Sequence, residues 1–343
     1  MNYNIGLDIS GGDYAPAEIF KGAILAKKEF GQNITLIGLQ SQIEEQARIH
    51  RIDLGDFTVV DAPETIEMAD SPATAVRKKK RSSIAIGTTL LKEKKIDAFV
   101  SCGNTGAAVC AATLILGLIE GVERPGIAIV APTQKGVALI LDVGANIDPK
   151  PLQLLQYGVM AKIYSEAVLH KKNPTIGLLN IGEEETKGPD FLRGVHKLFS
   201  ASSLNFTGNI EGKDIFKGNC DCIICDGFIG NITLKVIEGC AEVMGKLLLS
   251  SLQSNFIGRL GLFLAQNNLR AFKKKMSYSE YGGAPLLGVD GIVIIGHGRS
   301  DAFAVKNAVR VAIEELEHDI NSKIKGQVNE ICQDNRVREV LTA

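Results

Sequence analysis

A chain of 343 residues with 45% apolar side chains can bury a large core, in one big α/β domain or two smaller ones. Its formal charge of −1 excludes a global field that would gather nucleic acid or acidic partners, so any such attraction has to be local. No apolar stretch reaches the ~20 residues that a bilayer span needs, and the start, MNYNIGLDIS, enters a strand without the basic and apolar regions of an export signal.

The elements follow in chain order. Apolar runs predict strands at 4–9, 34–38, 57–60, 97–101, 127–130, 138–142, 175–180, 222–226 and 292–296. They are apolar throughout rather than alternating, as in strands covered on both faces. Helical spacing of Ile19, Phe20, Ala23 and Ile24 predicts a helix over 17–30, with Pro16 in a tolerated first-turn position. Residues 150–169, 231–253 and 301–320 read the same way. This alternation predicts a doubly wound, mostly parallel α/β sheet. With no clear linker or repeat, residues 1–320 are expected to be one interleaved unit. A helical excursion protrudes at about 240–278, and 321–343 form a C-terminal tail. The seven cysteines are an odd number, which fits a reducing cytosol. Cys222 and Cys225 sit inside an apolar run and read as core thiols rather than a redox or zinc pair.

Strand ends carry the chemistry. Asp8 leads into SGGD, Ser101 into CGNTGA, Asp142 into VGAN, Asn180 into IGEEETKG, Asp226 into GFIGN and Gly296 into HGRSD. Ligands of open α/β sheets bind at carboxyl ends of strands, so these six ends are expected to line one polar cleft. Gly103, Asn104, Thr105 and Gly106 precede an Ala-rich helix. They read either as an anion cradle or as a tight turn with Asn104 or Thr105 as N-cap. Gly11, Gly12 and Asp13 are open to the same two readings, as are Gly230 and Asn231, which open a later helix. There is no Walker loop, no dinucleotide fingerprint, no G-x-S-x-G and no H-E-x-x-H. His297 lies in a glycine-rich strand end and reads as a site residue or a capping one. His50, His170, His196 and His318 fall in charged helical stretches and read as solvated. Cys102, with no nearby histidine, reads as a small buried residue rather than a nucleophile. In NIGEEETKG, consecutive carboxylates cannot all face one metal. The loop reads as an anion site: acids cap a helix N-terminus and Lys187 points into the cleft.

Taken together, DISGGDYAP, VSCGNTGA, LILDVGAN, LLNIGEEETKG, CDGFIGNITLK, YSEYGGAPLLG and GHGRSDAFAVKNAVR resemble the phosphate acyltransferase family of bacterial phospholipid synthesis. The matches run in order from about residue 4 to residue 312. Ile9-Ser10 and Arg299 depart from the usual family pattern. The resemblance implies a fold similar to isocitrate and isopropylmalate dehydrogenases and phosphotransacetylase, usually in a homodimer. It implies that acyl-acyl carrier protein and inorganic phosphate give acyl phosphate, which feeds glycerol-3-phosphate acylation. No metal or cofactor is expected.

Phosphate and a thiol leaving group suit a site without a strong base or acid. Lys187 is expected to orient phosphate and Asn231 to donate to the oxyanion, with His297 and Ser300 lining the cleft. Gly11, Gly12, Asp13, Gly103, Asn104, Thr105, Gly106, Asp142, Asn146, Asn180, Gly182 and Gly230 are the expected phosphate and substrate contacts. Basic runs at 77–81 and at Lys273, Lys274 and Lys275 are candidate docking patches for the acidic carrier protein. Phe256, Ile257, Leu260, Leu262, Phe263 and Leu264, with Arg259 and Arg270, suit either an anionic membrane surface or a dimer interface across about 256–275. The expected location is therefore cytoplasmic, partly at the inner face of the membrane. Rival readings are a nicotinamide-dependent dehydrogenase, a phosphotransacetylase on short acyl-CoA, and a non-catalytic carrier-protein-binding module.

Overall fold

The computed structural model describes residues 1–276 and 278–342. The side chains of Lys273, Lys274 and Lys275, and with them the second basic patch, lie outside the described residues. Among the described residues, eleven strands form one sheet. They are β1 (Asn4–Asp8), β2 (Asn33–Gly38), β3 (Thr58–Asp61), β4 (Ala98–Ser101), β5 (Gly126–Thr133), β6 (Gly136–Leu141), β7 (Ile176–Asn180), β8 (Phe206–Glu211), β9 (Cys222–Ile224), β10 (Ala284–Leu287) and β11 (Ile292–Ile295). Their spatial order is β3-β2-β1-β4-β11-β10-β5-β6-β9-β7-β8.

All nine predicted runs are strands. The two that escaped prediction each break the apolar pattern. β8 lies at the sheet edge, is mostly only partly buried and carries Gly208 at φ 95. β10 is four residues long and includes Pro285. The sheet is mostly parallel, as expected, but β10 runs antiparallel to both β11 and β5, and β5 runs antiparallel to β6. Three reversals leave β6, β9 and β7 pointing opposite to β1, β4 and β11. The six glycine-rich strand ends therefore do not share one edge of the sheet, so a cleft lined by all six has to form between two edges. They form two groups, one at each end of the strand direction.

Helices cover both faces. Helix Ala17–Phe30 buries Ile19, Phe20 and Ala23 and packs with helix Ala302–Glu317 against β1, β2, β4 and β11. Helix Pro151–Ala167 covers β6, β7 and β9 through Leu155, Val159 and Tyr164. Residues beyond 320 form helices Ile320–Gln333 and Asn335–Thr342. Their Ile324, Val328, Ile331 and Val337 join the same core cluster. Helix Gly227–Gln253 leaves the body: of its 27 residues only Gly227 and Gly230 are buried. Helices Phe256–Leu264 and Gln266–Met276 follow it. Among the described residues no helix is long and apolar enough to cross a membrane.

One core group is out of character. Glu315 is 2% exposed and its Oε1 has no hydrogen-bond partner. Burial pushes its carboxyl well above the usual range. The unfolded chain releases this proton near pH ~4.3, whereas the folded protein holds it, so stability falls as pH rises above that point. Glu315→Gln is expected to flatten that slope. Its gain in Tm should be larger at pH 8 than at pH 5, by about 2 °C or more. Thermal melts at the two pH values check this, and an equal shift at both would mean that the carboxyl is ionised in the folded state.

Candidate active site

The first group of loops is held by Asp8, a buried carboxylate at the end of β1. Its Oδ1 accepts from the Ser10 N–H at 3.0 Å and its Oδ2 from the Ser101 hydroxyl at 2.7 Å. Burial raises its pKa, and the hydrogen bonds from Ser83, Ser101, Ser10 and Gly11 oppose that rise. A Cβ on Gly11 would come within 2.6 Å of Asp8 Oδ2 and 2.7 Å of the Gly103 nitrogen, so only glycine lets these two backbones meet. The Asp13 N–H donates to the Gly298 carbonyl at 2.7 Å, and the Ser300 N–H to the His297 carbonyl at 2.9 Å. Gly11, Gly12, Asp13, Gly103, His297 and Ser300 are thus brought together. Cys102 is buried behind them, and burial pushes its thiol up to about 12, which leaves no thiolate nucleophile at neutral pH.

The side chain of Asn104 serves the loop rather than the cleft. Its Oδ1 accepts from the Ala107 N–H at 3.0 Å, as an N-cap does. Its Nδ2 donates to the carbonyls of Glu67, Met68 and Asp70 at 3.1–3.2 Å. Its amide is occupied, so any anion contact at this position falls to backbone. Thr105, at the first position of helix Thr105–Ala111, is exposed beside it, and Gly106 packs under Pro72.

The second group is folded around Asp142. Its buried carboxylate accepts the N–H groups of Ile127, Gly144, Ala145 and Asn146 at 2.7–3.1 Å. Burial raises its pKa against those donors. The Asn146 amide donates to Gln153, and its carbonyl accepts the Gly227 N–H at 2.8 Å. The Asp142 carboxylate and the Asn146 Nδ2 are thus engaged within the fold. A Cβ on Gly230 would run into the Asp142 carbonyl oxygen, so glycine seats the helix start here. One residue later, Asn231 is exposed, and its Nδ2 reaches over Gly144, 2.9 Å from where a Cβ would stand. Asp226 caps this helix through the Ile229 N–H at 2.8 Å.

The acidic loop follows β7, the strand beside β9. Asn180 shapes it: Nδ2 donates to the Lys187 carbonyl at 3.1 Å and Oδ1 accepts from the Ile181 N–H at 2.8 Å. Gly188, at φ 82, closes the loop against that amide. Gly182 is buried beneath the stem of Lys187, whose Cγ would lie 2.8 Å from an added Cβ. Lys187 is exposed and, among the described residues, forms no ion pair, although three glutamates precede it. The acids do not cap a helix. Glu183, Glu184 and Glu185 lie in a bend, and the next helix starts only at Asp190 after Pro189, which corrects the expected cap. Of the three, Glu183 approaches Glu211 and Asp214 as a possible cation site, but Lys213 pairs with Glu211 and Lys217 with Asp214, offsetting that charge.

Helix Gly227–Gln253 joins the two groups. It starts beside Asp142, and its Glu238 Oε1 stands 3.7 Å from Nε2 of His297. Asn231 and Glu238 are seven residues apart, about 10 Å along the same helix face. The imidazole Nδ1 accepts the Arg299 N–H at 3.1 Å, so the neutral ring carries its proton on Nε2, facing Glu238.

The sequence comparisons fit this architecture. A family model described as fatty acid synthesis protein matches residues 3–323. The phosphate acyltransferase of Pelotomaculum thermopropionicum is 46% identical over 328 residues, 95% of each chain. That of Dictyoglomus thermophilum is 47% identical over 322 residues, 93% of this chain and 96% of its own. The chain belongs to the phosphate acyltransferase family. It is an acyltransferase of the fatty acid and phospholipid branch of metabolism.

The fold of this phosphate acyltransferase is shared more widely. A phosphotransacetylase from Streptococcus pyogenes superposes with a TM-score of 0.61 at 15% identity, covering 92% of this chain and 94% of the other. A 4-hydroxythreonine-4-phosphate dehydrogenase from Klebsiella pneumoniae does so at 0.52 and 13%, covering 92% and 98%. The expected kinship with both transacetylases and dehydrogenases is therefore one of fold.

Two residues that hold or bridge these loops, Asp8 and Glu238, were not among the expected contacts. Asp8 was visible as a strand end, but its bonds to Ser10 and Ser101 are not. Glu238 is marked only by falling two helical turns after Asn231. His196, read as solvated, is buried edge-on against Phe206. Burial lowers the His297 pKa, Glu238 and Asp13 raise it, and Lys235 and Arg299 lower it. Glu238→Gln is expected to lower it further, read as a shifted midpoint in an NMR titration of the ring. An unmoved midpoint would mean that the carboxylate does not act on the imidazole.

Proposed function

We propose that the protein transfers a fatty acyl group from the thioester of acyl carrier protein to inorganic phosphate, by direct attack and without a covalent enzyme intermediate. A phosphate oxygen bonds to the thioester carbon, the carbonyl electrons move onto oxygen, and their return expels the thiolate, which takes up a proton. Phosphate has a second pKa near neutrality, ~6 in its monoesters, and the leaving thiol one near ~8.5, so positioning and oxyanion stabilisation remain as the tasks. The observation that carries this reading is Asn231. It is an exposed amide at a glycine-seated helix start, on the same sheet edge as Lys187. Asn231 donates to the oxyanion and Lys187 offsets the phosphate charge. The backbone of Gly103, Asn104, Thr105 and Gly106, with Gly11, Gly12, His297 and Ser300, lines the facing side. The helix that starts in one loop group and touches the other supports a single cleft between them.

The carrier protein, being acidic, docks on residues 77–81. Arg77, Lys78, Lys80 and Arg81 are exposed there, while Lys79 bonds Asp70 at 2.6 Å. Asn104 ties residues 67–70, which precede this run, to the cradle. A homodimer with peripheral contact to the inner face of an anionic membrane completes the reading. Its support is the protruding helices, where Phe256, Ile257, Phe263 and Leu264 are at least 66% exposed. Leu262 is half-buried, so Phe263→Glu is the sharper probe. It is expected to abolish binding to anionic vesicles and leave turnover intact. Retained vesicle binding would refute the contact.

The reaction is tested by consumption of palmitoyl-acyl carrier protein with hydroxylamine present. Hydroxamate should form only with both enzyme and phosphate. If it forms equally well from acetyl-CoA, the phosphotransacetylase reading replaces this one.

A further inference from the structure

Beside Asn231 the surface turns apolar. A cleft of about 470 Å³ is walled by Phe228, Ile232 and Val236 from helix Gly227–Gln253 and by Ile147 from the loop after β6. These four side chains are 47–70% exposed, so the wall is open to solvent in the single chain. Asn231 stands in the lining, and Lys235, the charged lining residue, has its ammonium paired with Glu238 at 2.9 Å. The composition is that of a small-molecule site: mostly apolar walls and one placed amide.

We infer that this cleft holds the hydrocarbon tail of the acyl group and that Val236 sets how much of it is bound. The inference rests on the proposed reaction and deepens it. If Asn231 donates to the thioester oxygen, the tail attached to that carbon leaves from the same point, and the wall it meets there is this one. Asn231 and Val236 are five residues apart, about 7.5 Å along the helix. A two-carbon acyl group does not span that distance, and a long chain does. Ile147 brings a second apolar surface to the cleft from a separate loop. The more distal apolar residues Val243, Met244, Leu247 and Leu248 form an open helix face instead, starting about two turns beyond Val236.

The test compares kcat/KM for palmitoyl and hexanoyl thioesters in the whole enzyme. Val236→Trp is expected to lower the palmitoyl-to-hexanoyl ratio at least tenfold, on the scale of hydrophobic-pocket discrimination. Ile147→Asp, on the opposite wall, provides a second variant should the first fold poorly, with the same expected fall. An unchanged ratio overturns the inference, whether both rates hold or both drop together. A ratio that holds while the mass in solution falls from dimer to monomer assigns the wall to a second copy of the chain, and equally overturns it. Binding of a fluorescent long-chain fatty acid, read separately, distinguishes the two failures. Without phosphate-dependent turnover in the unmodified enzyme the reaction fails. The cleft still stands if that enzyme binds the probe and Val236→Trp does not, and falls if both bind alike.

Discussion

Lys187→Ala is expected to lower turnover of acyl thioester and phosphate by about 10²–10³-fold, the usual cost of removing one positioned group from a charge-stabilising site. The residue is exposed, so truncation opens no cavity and the loss should appear in kinetics, not in Tm. Its backbone carbonyl, which anchors the Asn180 amide, survives the substitution. The glutamates beside it leave its ammonium unpaired among the described residues, so the cation is available to an anion from solution. The KM for phosphate should rise with the loss of kcat, because the charge acts on bound phosphate and on the developing transition state. Lys187→Arg keeps the charge but replaces a compact ammonium with a planar fork, so partial activity is expected. Steady-state kinetics at varied phosphate check this, and an alanine variant within threefold of the unmodified enzyme would remove Lys187 from the chemistry.

Asn231→Ala is the second large effect, again about 10²–10³-fold, concentrated in kcat. An amide aimed at the oxyanion strengthens as charge develops, so the ground state loses little. The helix start should survive, since Gly230 against the Asp142 carbonyl and the Asp226 cap hold it independently. Asn231→Asp is expected to be at least as damaging, because a carboxylate there repels both phosphate and oxyanion. Equal losses in kcat and in substrate binding would reassign Asn231 to substrate binding. Single-turnover measurements separate the two.

The two variants probe side chains that the folded structure leaves exposed. Other polar residues of the expected site tell the opposite story. Asn104, Asp142, Asn146 and Asn180 looked like equally good ligands, each a small polar residue after a strand. In the structure Asn104 caps a helix and clamps residues 67–70, Asp142 gathers four N–H groups, Asn180 closes the Lys187 loop, and the Asn146 amide donates to the Gln153 side chain. A buried polar group has to find partners, and nearby loop backbone is the nearest source. Residue type and position after a strand are the same for a scaffold residue and for a ligand. Burial distinguishes them.

What the sequence determined by itself was local. Continuous apolar runs dictated nine strands covered on both faces, helical spacing dictated the covering helices, and glycine with small polar residues marked every loop of the site. The motif strings carried the family. Tertiary structure decided what depends on distant pairing. β10 inserts between β11 and β5, with Leu286 opposite Ile127, and the antiparallel pairing of β5 with β6 turns the sheet's direction between its halves. That reversal sent the glycine-rich ends to two edges and left helix Gly227–Gln253 to bridge them through Glu238 and His297. The residues after 320 became core because Ile324, Val328 and Ile331 meet a helix that ends more than 150 residues earlier in the chain. Periodicity is written in neighbouring residues. Which surfaces then cover one another is settled by burial across the whole chain, and no local pattern records it.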